Sequence, residues 1–189
     1  VWTQHYQSDS EFRTEIAQGG GQYCIINGDR ECVRSEDART YQTHALEVDM
    51  VEDGMRYTNG RFIITGCRGR IASSIDRTAW MNHDTSSEAF LSDINYHNGI
   101  YVAVASEDTS LTSPDLVAWT ERASRLEPSD KKAFARIEVA WDQFYLFQSL
   151  GVPAVSSDDI NWTFIEGNNL RFFATATGVD EDLGFYTLT

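Results

Sequence analysis

Four-stranded antiparallel sheets repeated along the chain, an all-β fold, are what these 189 residues predict, on three observations. First, the spacing Ser-x-Asp-x-x-x-aromatic occurs four times: Ser35, Asp37 and Tyr41; Ser74, Asp76 and Trp80; Ser113, Asp115 and Trp119; Ser156, Asp158 and Trp162. The offsets are 39, 39 and 43 residues, and one more step of 39 back from Tyr41 reaches Trp2. Second, every period contains one short, strongly apolar run. Third, a tight-turn pair precedes each run. Several short strands in about 40 residues, repeated, are the pattern of a β-propeller blade. No helical apolar period of ten or more residues competes with it, 130–139 being the one weak candidate.

With strands lettered a to d from the axis outward, each element finds its place. The apolar strands b are Tyr23 to Ile26, Phe62 to Ile64, Tyr101 to Val104 and Phe144 to Phe147, and Phe185 to Leu188 begins a fifth. Their β-branched and aromatic residues suit a pleated, buried surface. Before two of them stand Asn59-Gly60 and Asn98-Gly99, which supply the positive φ angles of a two-residue hairpin. Gly19 to Gly21 and Asp142-Gln143 take the matching places. Strand d opens on Trp2, Tyr41, Trp80, Trp119 or Trp162. Strand a lies around Phe12 to Ala17, Met55 to Thr58, Phe90 to Tyr96, Ala135 to Trp141 and Leu170 to Thr177. The blades therefore fall near 12–45, 52–84, 89–124, 133–166 and 169–189, with 1–7 as an outer strand, in one domain over 1–189. Both ends lie inside a repeat. The expectation is a five-bladed ring with a degenerate last blade or, as the favoured reading, a segment of a larger propeller.

Composition narrows the function classes. The formal net charge is -14, from 29 acidic and 15 basic residues. Such a surface repels phosphate backbones, so nucleic acid is not an expected partner. No run of 18 apolar residues is present, and no membrane insertion is expected. Cys24, Cys32 and Cys67 have neither Cys-x-x-Cys spacing nor an even count, which argues against a zinc site or a disulfide scaffold. Cys24 and Cys32 can still face each other across a hairpin. Neither a cofactor nor a metal is called for.

The repeated turn has a physical reason for each residue. Its Asp can accept hydrogen bonds from backbone N–H groups one to three residues on, and the Ser hydroxyl adds a local bond. The aromatic, four residues after the Asp, folds back over the turn and buries apolar area between sheets. This spacing resembles the Asp-box of sialidase-like and related propellers, Ser-x-Asp-x-Gly-x-Thr-Trp in its fuller form. Ser, Asp and the aromatic match in all four copies; Arg77, Leu116 and Asp159 stand where Gly is usual, and Ala79, Ala118 and Asn161 where Thr is. The resemblance implies that the boxes are scaffold, on the face away from the ligand site. Strings such as 98–105, followed by Thr112 to Asp115 and Trp119-Thr120, are similar to degenerate repeats of bacteriophage tail and receptor-binding proteins. That likeness implies an exposed virion or cell-surface component.

Candidate sites were weighed against simpler roles. His5, His44 and His83 each lie three residues after a box aromatic, so they occupy one repeat position on separate blades and cannot share an ion whose ligands must lie about 2 Å from it. His97 is expected as a solvated turn residue. Arg13, Arg56, Arg136 and Arg171 recur on the innermost strands, and the sialidase resemblance implies that a ring of arginines can seize a carboxylate. The Phe-Arg-Ile-Pro opening and a Tyr and Glu pair of that family are absent. Glu52-Asp53, Glu107-Asp108 and 180–182 lack the alternating acidic spacing of a calcium loop. Trp141, ending an inner strand, is a candidate for stacking on a sugar or for core packing. Asn161-Trp162-Thr163 matches a glycosylation sequon by chance inside a box turn.

The expected function is a non-catalytic binding or structural module, extracellular or on a virion, recognising a glycan or a partner protein. The b–c and d–a loops emerge opposite the boxes, so the binding residues expected there include Arg30, Arg68, Glu107 and Asp108, with Asp29, Glu127, Asp130 and Lys131 nearby. Trp141 is the further binding candidate. The alternatives are a sialidase-like glycoside hydrolase fragment and a virion decoration protein without a ligand.

Overall fold

Each repeat folds as one antiparallel sheet whose strands pair in chain order. The computed structural model describes residues 15–27, 30–48, 52–105, 109–123, 135–148, 153–165, 177–180 and 184–187. The first blade holds β1 (Glu15–Gly19), β2 (Gln22–Asn27), β3 (Glu31–Ser35) and β4 (Gln42–Ala45). The second holds β5 (Glu52–Thr58), β6 (Arg61–Gly66), β7 (Arg70–Ser74) and β8 (Met81–Asp84), and the third β9 (Leu91–His97), β10 (Ile100–Ala105), β11 (Thr109–Ser113) and β12 (Thr120–Ala123). The fourth is β13 (Ala135–Ala140), β14 (Gln143–Gln148), β15 (Ala154–Ser156) and β16 (Thr163–Phe164). A two-stranded sheet of β17 (Thr177–Asp180) and β18 (Gly184–Thr187) follows.

Residues 135–140 form the strand β13 where an inner strand was expected: Arg136 to Ala140 pair residue by residue with Phe147 to Gln143, and sheet pairing outweighs the weak helical pattern over 130–139. The strand paired with β18 is 177–180, and 170–176 of the expected inner strand lie outside the described residues. The fourth a–b turn is Trp141-Asp142, one residue earlier than expected. Both have positive φ, +45° and +63°, as Asn59-Gly60 and Asn98-Gly99 do in their blades. A bulky aromatic is rare in that conformation, which is why the sequence hides the turn.

The strands b are apolar throughout because they are buried on both faces. From β6, Phe62 and Ile64 join the core between the first two blades, while Ile63 joins the core between the second and third. From β10, Tyr101 and Ala103 face back into that second core, and Val102 and Val104 face forward onto Ile137, Phe144 and Leu146 of the fourth blade. Full burial of one such side chain contributes roughly 1.5–3 kcal/mol.

The Ser-x-Asp turns join strands c and d. In each, one carboxylate oxygen accepts two backbone N–H groups: Arg39 and Thr40 at Asp37, Thr78 and Ala79 at Asp76, Val117 and Ala118 at Asp115, Ile160 and Asn161 at Asp158, all at 2.7–2.9 Å. The Ser hydroxyl donates to the same oxygen at 3.0–3.2 Å. Tyr41 Oη and Trp119 Nε1 donate back to the carbonyls of Ala38 and Leu116, so the aromatic closes over the turn. Trp80, Trp119 and Trp162 each pack against one of the three cores. Trp2 lies outside the described residues.

The residue after the Asp joins the blades in three of the four turns. Ala38, Arg77, Leu116 and Asp159 have φ of +56°, +62°, +66° and +58°, the region that favours glycine. The last three turn their side chains inward, at 6%, 1% and 1% exposure. Arg77 Nη1 reaches the carbonyls of Tyr23 and Ser35 in the first blade. Leu116 enters the core shared with Ile63 and Ile71 of the second. Asp159 accepts a hydrogen bond from Ser110 of the third.

The backbone donors hold the four turn aspartates below the ordinary value of 3.8, Asp158 at about 2. A depressed folded pKa contributes stability that is present above the unfolded value and lost as pH falls. The melting temperature is therefore expected to drop as pH goes from 4 towards 2, followed by circular dichroism. Asp158→Asn should shallow that drop; an unchanged acid limb would show that the turns do not carry it.

Candidate functional site: the axial cleft

The inner strands carry charged residues where they meet. Arg56 on β5 is the centre. Its Nε and Nη2 donate to the two carboxylate oxygens of Asp93 on β9 at 3.0 and 2.7 Å, and its Nη1 and Nη2 to those of Glu138 on β13 at 2.9 and 3.0 Å. The close approach of β5 and β9 that permits this needs glycine at position 54, since a Cβ there would meet the Ser92 carbonyl at 2.6 Å. Asp93 also accepts the N–H groups of Ile94 and Ile137 at 2.9 and 3.0 Å, so one buried carboxylate ties three blades. Burial works against the charge of Arg56, but Asp93 and then Glu138 outweigh it and raise its pKa, keeping it cationic.

Beside this triad lies a cleft of about 350 Å³ lined by Glu15, Gln18, Arg56, Tyr57, Arg136 and Glu138, with short apolar contributions from β1 and β5. Arg136 and Glu138 are two apart on β13 and so share a face of the strand. The Arg136 side chain makes no hydrogen bond or ion pair with the described residues. It follows the first residue of β13, and Glu15 is the first of β1, so both stand at the end of the inner strands reached from the d–a loops, opposite the Ser-x-Asp turns. Two inner-strand arginines thus differ: Arg56 is saturated by carboxylates, and the Arg136 side chain has no ion pair among the described residues. Arg13 and Arg171 lie outside the described residues.

The other sequence candidates divide between the two faces. Arg30 and Arg68 stand on b–c turns at the Arg136 end, exposed, with φ of +61° and +55°. Arg30 Nη2 donates to the Val48 carbonyl at 3.0 Å. Glu107, Asp108, Asp29, Glu127, Asp130 and Lys131 lie outside the described residues. Trp141 does not join this group: its a–b turn projects from the same end as the Ser-x-Asp turns. It is 48% exposed and stands edge-on to Tyr145 with ring centroids 5.9 Å apart, so it is neither core nor at the end of a strand.

His44 and His83 lie on β4 and β8, outer strands of different blades, and His83 is buried against Ser73 Oγ at 2.9 Å. His5 is outside the described residues. His97 is not a solvated turn residue. Its ring packs edge-on against Phe144 of the next blade, 5.5 Å between centroids, and its Nε2 comes within 3.1 Å of Asp142 without the alignment of a hydrogen bond. Among the described residues no group of three or more His, Cys, Asp or Glu side chains is placed to hold a metal ion. Sequence reasoning found Arg56 and Arg136 but missed Asp93 and Glu138; the available signal was the i, i+2 spacing of Glu138 from Arg136.

Sheets of four antiparallel strands joined side by side at their inner edges define a β-propeller protein. No family model matches the chain, and no curated protein matches it. Solved structures similar to it include YCF48 bound to D1 peptide, with a TM-score of 0.59 and 18% identity over 85% of this chain and 55% of that one. YCF48 from Cyanidioschyzon merolae follows at 0.56 and 11%, over 82% and 59%. A GH74 enzyme from Niastella koreensis gives 0.56 and 12%, over 79% and 24%. The chain thus spans less than two thirds of either YCF48 structure, and at these identities the likeness is one of fold.

Proposed function

We propose that this chain is a non-catalytic binding propeller, one unit or segment over 1–189, whose ligand face is the one remote from the Ser-x-Asp turns. Arg136, at the mouth of the axial cleft, is its anchor for an acidic group of a partner protein or glycan. The carrying observation is the contrast between Arg136, whose side chain makes no ion pair among the described residues, and Arg56, already neutralised by Asp93 and Glu138. Exposed Arg30 and Arg68 extend the same face. The peptide bound to YCF48 supports a protein ligand, and an exposed setting on a virion or cell surface suits the acidic chain. In this role the Ser, Asp and aromatic residues of the repeated turns are Asp-box scaffold.

Arg136→Ala is expected to weaken binding to carboxylate-bearing members of a peptide and glycan array by about ten-fold or more, roughly 1.4 kcal/mol, while leaving the melting temperature unchanged. Arg30→Glu and Arg68→Glu should weaken it less. Undiminished binding in Arg136→Ala would remove the cleft from consideration. A fluorogenic sialoside should show no turnover; turnover abolished by replacing Arg136 would overturn the non-catalytic reading.

A further inference from the structure

Cys24 on β2 and Cys32 on β3 lie side by side in the core between the first two blades, 0% and 1% exposed, with Sγ atoms 3.0 Å apart. They sit diagonally across the strand pair, Cys24 opposite Arg34 and Cys32 opposite Ile26. Two guanidinium groups act on them. Arg34 donates to Thr78 Oγ1 and Gln42 Oε1, and Arg77 to the carbonyls of Tyr23 and Ser35, so neither has a carboxylate partner among the described residues. The rest of the surrounding cluster is apolar, with Met55 and Phe62 from the second blade.

We propose that Cys24 and Cys32 are a redox-active pair, in which Cys32 is oxidised by a peroxide and Cys24 resolves the product into a disulfide within the first blade. The two sulfurs are not equivalent. The contact with Cys24 lowers the pKa of Cys32, and Arg34 and Arg77 add to this against the effect of burial, whereas the contact with Cys32 and burial push Cys24 up. Cys32, whose Sγ also donates to the Arg77 carbonyl at 3.5 Å, is thus the thiol that ionises more readily of the two, and the thiolate is the reacting form. Its sulfur attacks one oxygen of hydrogen peroxide; the O–O bond breaks, and hydroxide leaves and is protonated to water. Cys32 is now a sulfenic acid. The Cys24 sulfur then attacks the Cys32 sulfur, the S–S bond forms, the S–O bond breaks, and the hydroxide departs with the Cys24 proton as a second water. The pair loses two electrons and the peroxide gains them. Burial selects an oxidant of about the size of water, so a bulky disulfide such as oxidised glutathione should react slowly with the folded chain.

The full chain is treated with hydrogen peroxide, quenched with catalase, denatured, labelled with N-ethylmaleimide and analysed by mass spectrometry. The expected result is joint loss of label at Cys24 and Cys32, a cross-linked peptide joining them, and recovery of both labels after reduction. Cys67, half-buried on the turn after β6, serves as the internal reference, and Cys67→Ser should leave the reaction intact. Arg34→Gln, a surface change, should slow oxidation several-fold at pH 7 and move its pH–rate profile upward. Full labelling of Cys24 and Cys32 at a dose that oxidises Cys67 would overturn the proposal. Sulfinic acid on Cys32 with Cys24 still free would do so as well, and an unaltered profile in Arg34→Gln would overturn Cys32 as the attacking thiol.

Discussion

Arg56→Ala is expected to lower the unfolding free energy by about 3–5 kcal/mol, the usual cost of removing one partner from a buried ion pair. Asp93 is 1% exposed on its side chain and keeps two backbone donors, but it loses the one cation paired with it among the described residues; Glu138 loses the same partner. The loss should fall on the contacts between the second, third and fourth blades, because Arg56 of the second is bonded to acids of both the third and the fourth. Urea denaturation gives the size of the effect. A triple replacement, Arg56→Met with Asp93→Asn and Glu138→Gln, should recover a large part of it, since no uncompensated charge then remains. If Arg56→Ala unfolds at the wild-type midpoint, the triad does not hold the blades. Paired with Arg136→Ala, which should bind poorly and unfold normally, the experiment separates support from recognition at neighbouring arginines.

The wild-type chain should also lose stability as pH rises from about 4 to 7. Burial raises Asp159 from 3.8 to about 7; the Ser110 hydroxyl and Arg122 pull the other way and do not prevail. One carboxylate oxygen, Oδ1, has no hydrogen-bond partner among the described residues. A folded pKa above the unfolded one means that the native state binds the proton more tightly. Its contribution is complete below the unfolded value and disappears as pH climbs through the folded one. The span corresponds to something on the order of 4 kcal/mol. Asp159→Asn keeps the shape, tolerates the positive φ and cannot ionise. It should match the wild type near pH 4 and exceed it at pH 8 by up to that amount. Thermal melts of both proteins across this range decide it: parallel curves would mean that Asp159 does not titrate as argued. The turn aspartates act in the opposite sense below pH 4, so the stability optimum should be mildly acidic.

The period was legible because its carriers act locally. Ser, Asp and aromatic side chains of one turn satisfy that turn's own backbone, so identical chemistry recurs at each copy, as at Asp76 and Asp115. Asn59-Gly60 and Asn98-Gly99 were readable for the same reason, whereas Trp141-Asp142 adopts the same backbone without the residues that favour it. The triad was not legible. Arg56 stands 37 residues from Asp93 and 82 from Glu138, and nothing local links them until the blades are placed side by side. Arg136 was visible as an inner-strand cation, but its lack of an acid emerges only once its neighbours are known. His97 illustrates the converse error: a turn residue by sequence is interblade packing when the next sheet carries Phe144.

The side chains that follow each turn aspartate have a consequence for blade order. A cation on carbonyls at Arg77, a hydrocarbon in an apolar pocket at Leu116 and an acid on a hydroxyl at Asp159 are three plugs that do not fit one another's sockets. Exchanging the second and fourth turns would set a carboxyl against the thiols of the first blade and a guanidinium beside Ser110. The repeats share a fold yet are not interchangeable parts: the second, third and fourth each carry, in a single left-handed residue, the address of the neighbour they must follow.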